Sequence, residues 1–220
     1  MSCVAVPDPP VAPTLGNNPS PAVTRILDAT LTAAALHGIK RLSVSDIADQ
    51  AQMSRPTIYK HVGNKDAIVM ATVVREAQRL VAEIMDEMGR SPEPRTGIRD
   101  GVAAALRLTR EHPLLDRILT TEPDSLVPLL TADGGPVSQL IRTEIDGRTL
   151  ELFPGLSPLA ARRAGDLLTR LFVSYAISAP DDPPEVVAES IATIIFAGVA
   201  ALQAELAQHD SATPSLSARA

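Results

Sequence analysis

The sequence predicts an all-α fold, on three observations. Apolar residues fill 45% of the 220 positions and aromatics only 2%, so the core must be built from Leu, Ile, Val and Ala. Ala and Leu favour helix. These residues recur at three- and four-residue intervals, and no stretch of useful length alternates as a strand would. Ser, Pro and Gly stand at the ends of the periodic stretches, where helix caps and breaks belong.

Residues 1–20 are rich in Pro and small side chains and are expected to form a disordered arm. They carry neither the basic start nor the apolar run of a signal peptide. Ser20-Pro21 reads as an N-cap followed by proline at the first helical position. The helix so opened should run to about His37, with Gly38 closing it. Ser43 should cap a second helix, Val44 to Ala51, and Asp46 completes a capping box. After a break at Gln52-Met53, Ser54 should cap a third helix from Arg55 to Val62. Pro56 lies in its first turn, where a missing N–H costs nothing. Gly63-Asn64 ends it, and Asn64 caps a long fourth helix from Lys65 to Met88.

A Pro- and Gly-punctuated connection, 89–97, follows. Further helices are expected at about 98–111, 114–121, 125–131, 136–151, 158–178 and 184–207. The organisation expected is an arm over 1–20, a small domain over 21–66, a larger helical body over 67–208 and a disordered tail over 209–220.

The net charge of −6 argues against indiscriminate nucleic-acid binding by the whole surface. Its distribution is uneven. Residues 22–65 hold six Lys and Arg against three Asp, a local +3, which leaves −9 for the remainder. A basic segment on an acidic body is an electrostatic footprint for a polyanion. Cys3 is the only cysteine, so no internal disulfide forms and no oxidising compartment is needed. No run reaches the roughly 18 to 20 consecutive apolar residues of a membrane span, so a cytoplasmic protein with no membrane partner is expected. His37, His112 and His209 are isolated, without metal-ligand spacing. Ser174 has no histidine base nearby in sequence, and Asp181-Asp182 before Pro183-Pro184 reads as a turn and helix start. No catalytic residue, metal or cofactor is therefore expected.

Two short helices joined by a tight turn form a helix-turn-helix pattern. Ala48 is small where the two helices approach, Met53 is apolar at the corner, and Ile58 and Val62 form the buried stripe of the second helix. Arg55, Thr57, Tyr59, Lys60 and His61 are then left outside. A helix fits the major groove of duplex DNA with its N-terminal residues nearest the base edges. Arg55 suits guanine, Thr57 a base edge or a thymine methyl, and Tyr59, Lys60, His61 and Lys65 suit phosphate oxygens. Ser54, the cap of the reading helix, belongs to the same DNA-binding set, and Ser43 is expected to orient another phosphate-facing helix N-terminus. Two bland readings stay open: Tyr59 as a core-edge aromatic and His61 as a C-terminal helix cap.

The stretch ILDATLTAAALHGIKRLSVSDIADQAQMSRPTIYKHVGNKDAIVMATV resembles the N-terminal domain of the TetR family of bacterial repressors. The matching pieces are Ile26-Leu27-Asp28-Ala29, the Gly38 break, Ser43 to Ala48, Ser54, the run from Thr57 to His61, and Lys65. The resemblance implies a three-helix DNA-binding domain, a larger C-terminal domain for ligand binding and dimerisation, and a homodimer on double-stranded operator DNA. Three features depart from the family pattern. Gln52 replaces a turn glycine, at a cost of about 1 kcal/mol if the position needs positive φ. Val62 replaces a usual Phe, and Ala34-Ala35 a usual Leu-Phe, which thins the small domain's core.

The body offers an apolar pocket for a small hydrophobic effector, with Leu106, Leu115, Leu119, Leu129, Ile141, Leu168, Phe172 and Tyr175 as candidate lining. Arg107, Thr109 or Tyr175 would hold a polar head group. The last two helices carry aliphatic stripes too wide for one buried face and suit a four-helix bundle between two copies. The alternative to a ligand-responsive repressor is a helical lipid- or partner-binding protein whose DNA-reading domain no longer reads DNA.

Overall fold

Sequence signals for helix starts translate directly into hydrogen bonds in the computed structural model, which describes residues 19–125, 135–153, 155–178 and 180–212. Helix α1 spans Pro21–His37, α2 Val44–Ala51, α3 Arg55–Val62 and α4 Lys65–Gly89. Helix α5 spans Pro94–Glu111, α6 Pro113–Thr121, α7 Pro136–Leu152, α8 Pro158–Ile177 and α9 Pro184–Ala212, with a 3-10 turn at Pro123–Ser125. No strand occurs among the described residues. Helix α9 runs five residues beyond its expected end, into the segment expected as tail. The arm up to residue 18, the helix expected over 125–131 beyond the 3-10 turn, and the tail from 213 lie outside the described residues.

The chain divides into two units. The first takes residues up to Ala77 together with Pro113–Val127, and the second takes Gln78–His112 and Pro128 onward. The division falls inside α4 rather than near residue 66, and α6 belongs to the first unit. In that unit α1 packs on α2, α3 and α6. Ile26, Leu27, Ile47, Ile58 and Ile68 are fully buried, as is Ile118 from α6. Ala34 and Val62 are buried too, and α6, packed on α1, turns Leu114 and Ile118 inward.

In the second unit α5 lies along α9, and α7 along α8. Gly97 and Gly101 bring α5 onto Met88 of α4, where an added Cβ would press on the Met88 carbonyl or side chain. Phe153 and Phe196 meet edge to face at 5.2 Å. By length and composition alone, Pro184–Ala201 of α9 is apolar enough to cross a membrane, contrary to the sequence expectation. Apolar character here is spread between polar positions such as Glu185 and Glu189 rather than gathered in one run. The same helix packs Val187, Ala188, Ile191, Ala192 and Val199 inside the unit.

Candidate nucleic-acid interface and internal cavity

The basic cluster is built by two caps and a turn. Ser43 Oγ accepts from the Asp46 backbone N–H at 3.2 Å while Asp46 Oδ2 accepts from the Ser43 N–H at 2.8 Å and from the Ser43 hydroxyl at 2.7 Å. These bonds to Ser43 hold the Asp46 carboxyl below its ordinary pKa. The Ser43 hydroxyl proton is thus committed inside the box, and any anion contact there falls to backbone N–H groups. Gln52 does adopt the left-handed conformation, at φ 51° and ψ 46°. The turn closes behind it with the Met53 N–H donating to the Ala48 carbonyl at 3.0 Å. Ala48 is buried and Met53 half-buried, as the helix-turn-helix pattern requires.

Helix α3 then splits into two faces. Ser54 Oγ accepts from the Thr57 N–H at 3.3 Å and shares a hydrogen bond with Thr57 Oγ1 at 2.7 Å. Ile58 and Val62 are buried, while Arg55, Lys60 and His61 are exposed and Thr57 is half-buried. Tyr59 is 51% exposed, which removes the core-edge reading. Arg55, Lys60 and His61 form no ion pair or hydrogen bond through their side chains with any described residue. Gly63, at φ 92°, ends the helix with its own N–H on the Tyr59 carbonyl, so His61 is not needed as a cap. Lys65 sits at the start of α4, where its ammonium donates to the Lys40 carbonyl at 3.3 Å.

Two groups that sequence reasoning missed fix this surface in place. Arg75 of α4, mostly buried, pairs with Asp28 of α1 at 2.8 Å and with Glu76 at 2.8 Å, and donates to the Thr24 carbonyl at 3.4 Å. Glu122, buried after α6, accepts from the Lys40 N–H at 3.0 Å. Gly38, at φ 82°, lies so close to that carboxylate that any Cβ would collide with it. Both links join positions far apart in the chain, which no local pattern reveals.

The second unit holds a cavity of about 120 Å³. Its wall includes Leu106, Ile141, Leu168, Phe172 and Tyr175, five of the eight expected lining residues, with Val81, Ile84, Met85 and Met88 from α4. Leu115 and Leu119 do not line it, because α6 belongs to the first unit, and Leu129 lies outside the described residues. Arg107 does not line it either: its guanidinium pairs with Glu185 at 3.2 Å. Tyr175 and Thr109 do.

Two family models match successive stretches of the chain. Residues 26–72 match the family model described as bacterial regulatory proteins, tetR family, and residues 93–196 match the tetracyclin repressor C-terminal domain. An uncharacterised HTH-type transcriptional regulator of Mycobacterium tuberculosis is 32% identical over 100 residues, covering 46% of this chain. The chain spans about half the length of that relative, 50%. The regulator AlkX of the same organism is 26% identical over 167 residues, covering 73% of this chain and 75% of that protein. Among solved structures, the repressor AlkX of Dietzia sp. shares the fold with a TM-score of 0.66 at 23% identity, over 86% of this chain and 100% of that one.

Proposed function

The chain belongs to the TetR family of bacterial transcriptional regulators, and on that premise we propose that it is a ligand-responsive repressor that binds a pseudo-palindromic operator as a homodimer in the cytoplasm. One observation carries the reading: α3 buries its aliphatic stripe and leaves Arg55, Tyr59, Lys60 and His61 outward. Arg55 at the start of α3 reads guanine, Thr57 reads a neighbouring base, and Ser54, Tyr59, Lys60, His61 and Lys65 hold phosphates. Ser43 contributes by fixing the N-terminus of α2.

Leu167 and Ile194 are 67% and 70% exposed on α8 and α9, an apolar surface that suits a second copy. A two-fold pair would set its two reading helices about 34 Å apart, one turn of DNA. The effector enters the cavity of the second unit. Four wall residues belong to α4, which only two residues separate from α3, so a ligand that prefers a displaced α4 also prefers displaced reading helices. DNA affinity falls only by the ligand's preference for that state.

The test is binding to a duplex carrying an inverted repeat, measured by anisotropy across salt concentrations. Steep salt dependence is expected, with Arg55→Ala relaxing base preference and Lys60→Ala weakening all sequences alike. Salt-insensitive retention of a lipid with no duplex preference would instead select the lipid- or partner-binding alternative.

A further inference from the structure

We infer that the effector is an uncharged, compact hydrocarbon-like molecule, and that carboxylates and other acids of the same shape are rejected. This rests on the cavity being the effector site, and it deepens that reading by chemistry visible on the wall.

Polar groups on the wall are few, and most are already engaged. Thr109 donates its hydroxyl proton to the Ala105 carbonyl at 2.8 Å, and Thr149 donates to the Ile145 carbonyl at 2.7 Å. Both hydroxyls therefore offer the cavity only oxygen lone pairs, which repel a carboxylate. Among the described residues, Arg148 alone on the wall carries a full charge. Its guanidinium pairs with Glu151 at 2.8 Å, with 40% of the side chain open to solvent, and it lies beside Gly89 at the end of α4. The surface facing the cavity is almost wholly apolar, so Arg148 lines it with its methylene stem, and an acid inside would give up its hydration with no cation facing it. Tyr175 is half-buried, and its hydroxyl forms no hydrogen bond with a described residue. It supplies one site for a neutral polar atom.

Size narrows the class. A volume of about 120 Å³ is close to that of apolar cavities of roughly 150 Å³ that stay dry and take up benzene. Met85 and Met88 give the wall adaptable thioether side chains that accept one ring or a short branched chain.

Toluene and benzoate form a matched probe pair of nearly equal shape. Each is titrated into the full chain with the methionine methyls labelled, and operator release is followed in parallel by anisotropy. Toluene is expected to shift the Met85 and Met88 methyl signals, and benzoate to bind at least about a hundredfold more weakly. Ala105→Leu, which fills the cavity, is expected to abolish the toluene shifts while circular dichroism reports an intact helical fold. Benzoate binding as tightly as toluene, and losing that affinity in Arg148→Gln, would overturn the neutral-ligand inference and leave the effector site standing. Methyl shifts from toluene without any change in operator affinity would keep the cavity chemistry and remove the effector role. Silence from both probes would remove the cavity as a binding site and the inference with it.

Discussion

The two units are held together in different ways. In the first, the starts of α1 to α4 all have side-chain caps: Ser20, Ser43 and Ser54 accept from the backbone of α1, α2 and α3, and Asn64 Oδ1 accepts from the Ala67 N–H at 2.9 Å. All of its large interior side chains from Ile26 to Ile118 are sealed from solvent. In the second, Ser157 caps α8 but α5 and α7 start at proline with no side-chain cap, and the interior holds a half-open cavity. A surface that must hold a fixed register against a duplex calls for the first kind of construction. A body that must yield to a ligand calls for the second, because underpacked interiors have neighbouring states at small cost.

That contrast can be broken by experiment. The largest effect is expected from Ile58→Ala, which opens a hole in a sealed core and should cost about 3 kcal/mol in urea unfolding. Ile141→Ala on the cavity wall should cost about half as much, since its neighbours are already incomplete. Equal costs would erase the distinction. Arg75→Met should cost about 2 kcal/mol, because the pair with Asp28, the bond to the Thr24 carbonyl and one cation of the buried Glu76 are lost together. It should also weaken DNA binding, seen as a higher Kd at unchanged salt slope.

Caps separate the units more finely. Ser54→Ala should lose about 1 kcal/mol, whereas Glu93→Ser, which supplies a cap that α5 lacks, should gain a few tenths. Chemical denaturation of both variants measures the pair. The smallest effect is in acid. The Asp46 carboxyl is held below its ordinary pKa, chiefly by the Ser43 hydroxyl, so its contribution is complete above the unfolded carboxyl pKa. It is lost as pH falls through the lower folded value. Ser43→Ala should flatten that acid limb in a thermal-melt pH series.

The first unit was legible in sequence because its signals are local. A cap and its acceptor lie three residues apart, as at Ser43 and Asp46, and Gly38 and Gly63 mark helix ends where φ is positive. The left-handed turn at Gln52 entered only as a condition attached to the family resemblance, which puts a glycine there, and the structure meets that condition. The destination of α6 was not legible. Leu114 and Leu115 look alike in sequence, and only the long-range fold decides that α6 joins α1 rather than the cavity wall. Arg75 was equally silent, because its partners at Thr24 and Asp28 stand about fifty positions away. The cavity's apolar character was visible in composition, while its place depended on Gly97 and Gly101 admitting Met88.

Helix α4 has 25 residues and no proline or glycine before its last position, so nothing in it invites a kink. At 1.5 Å per residue it is about 37 Å long. The effector proposed above would meet this one helix through Val81, Ile84, Met85 and Met88, on the same unbroken element that begins just after α3.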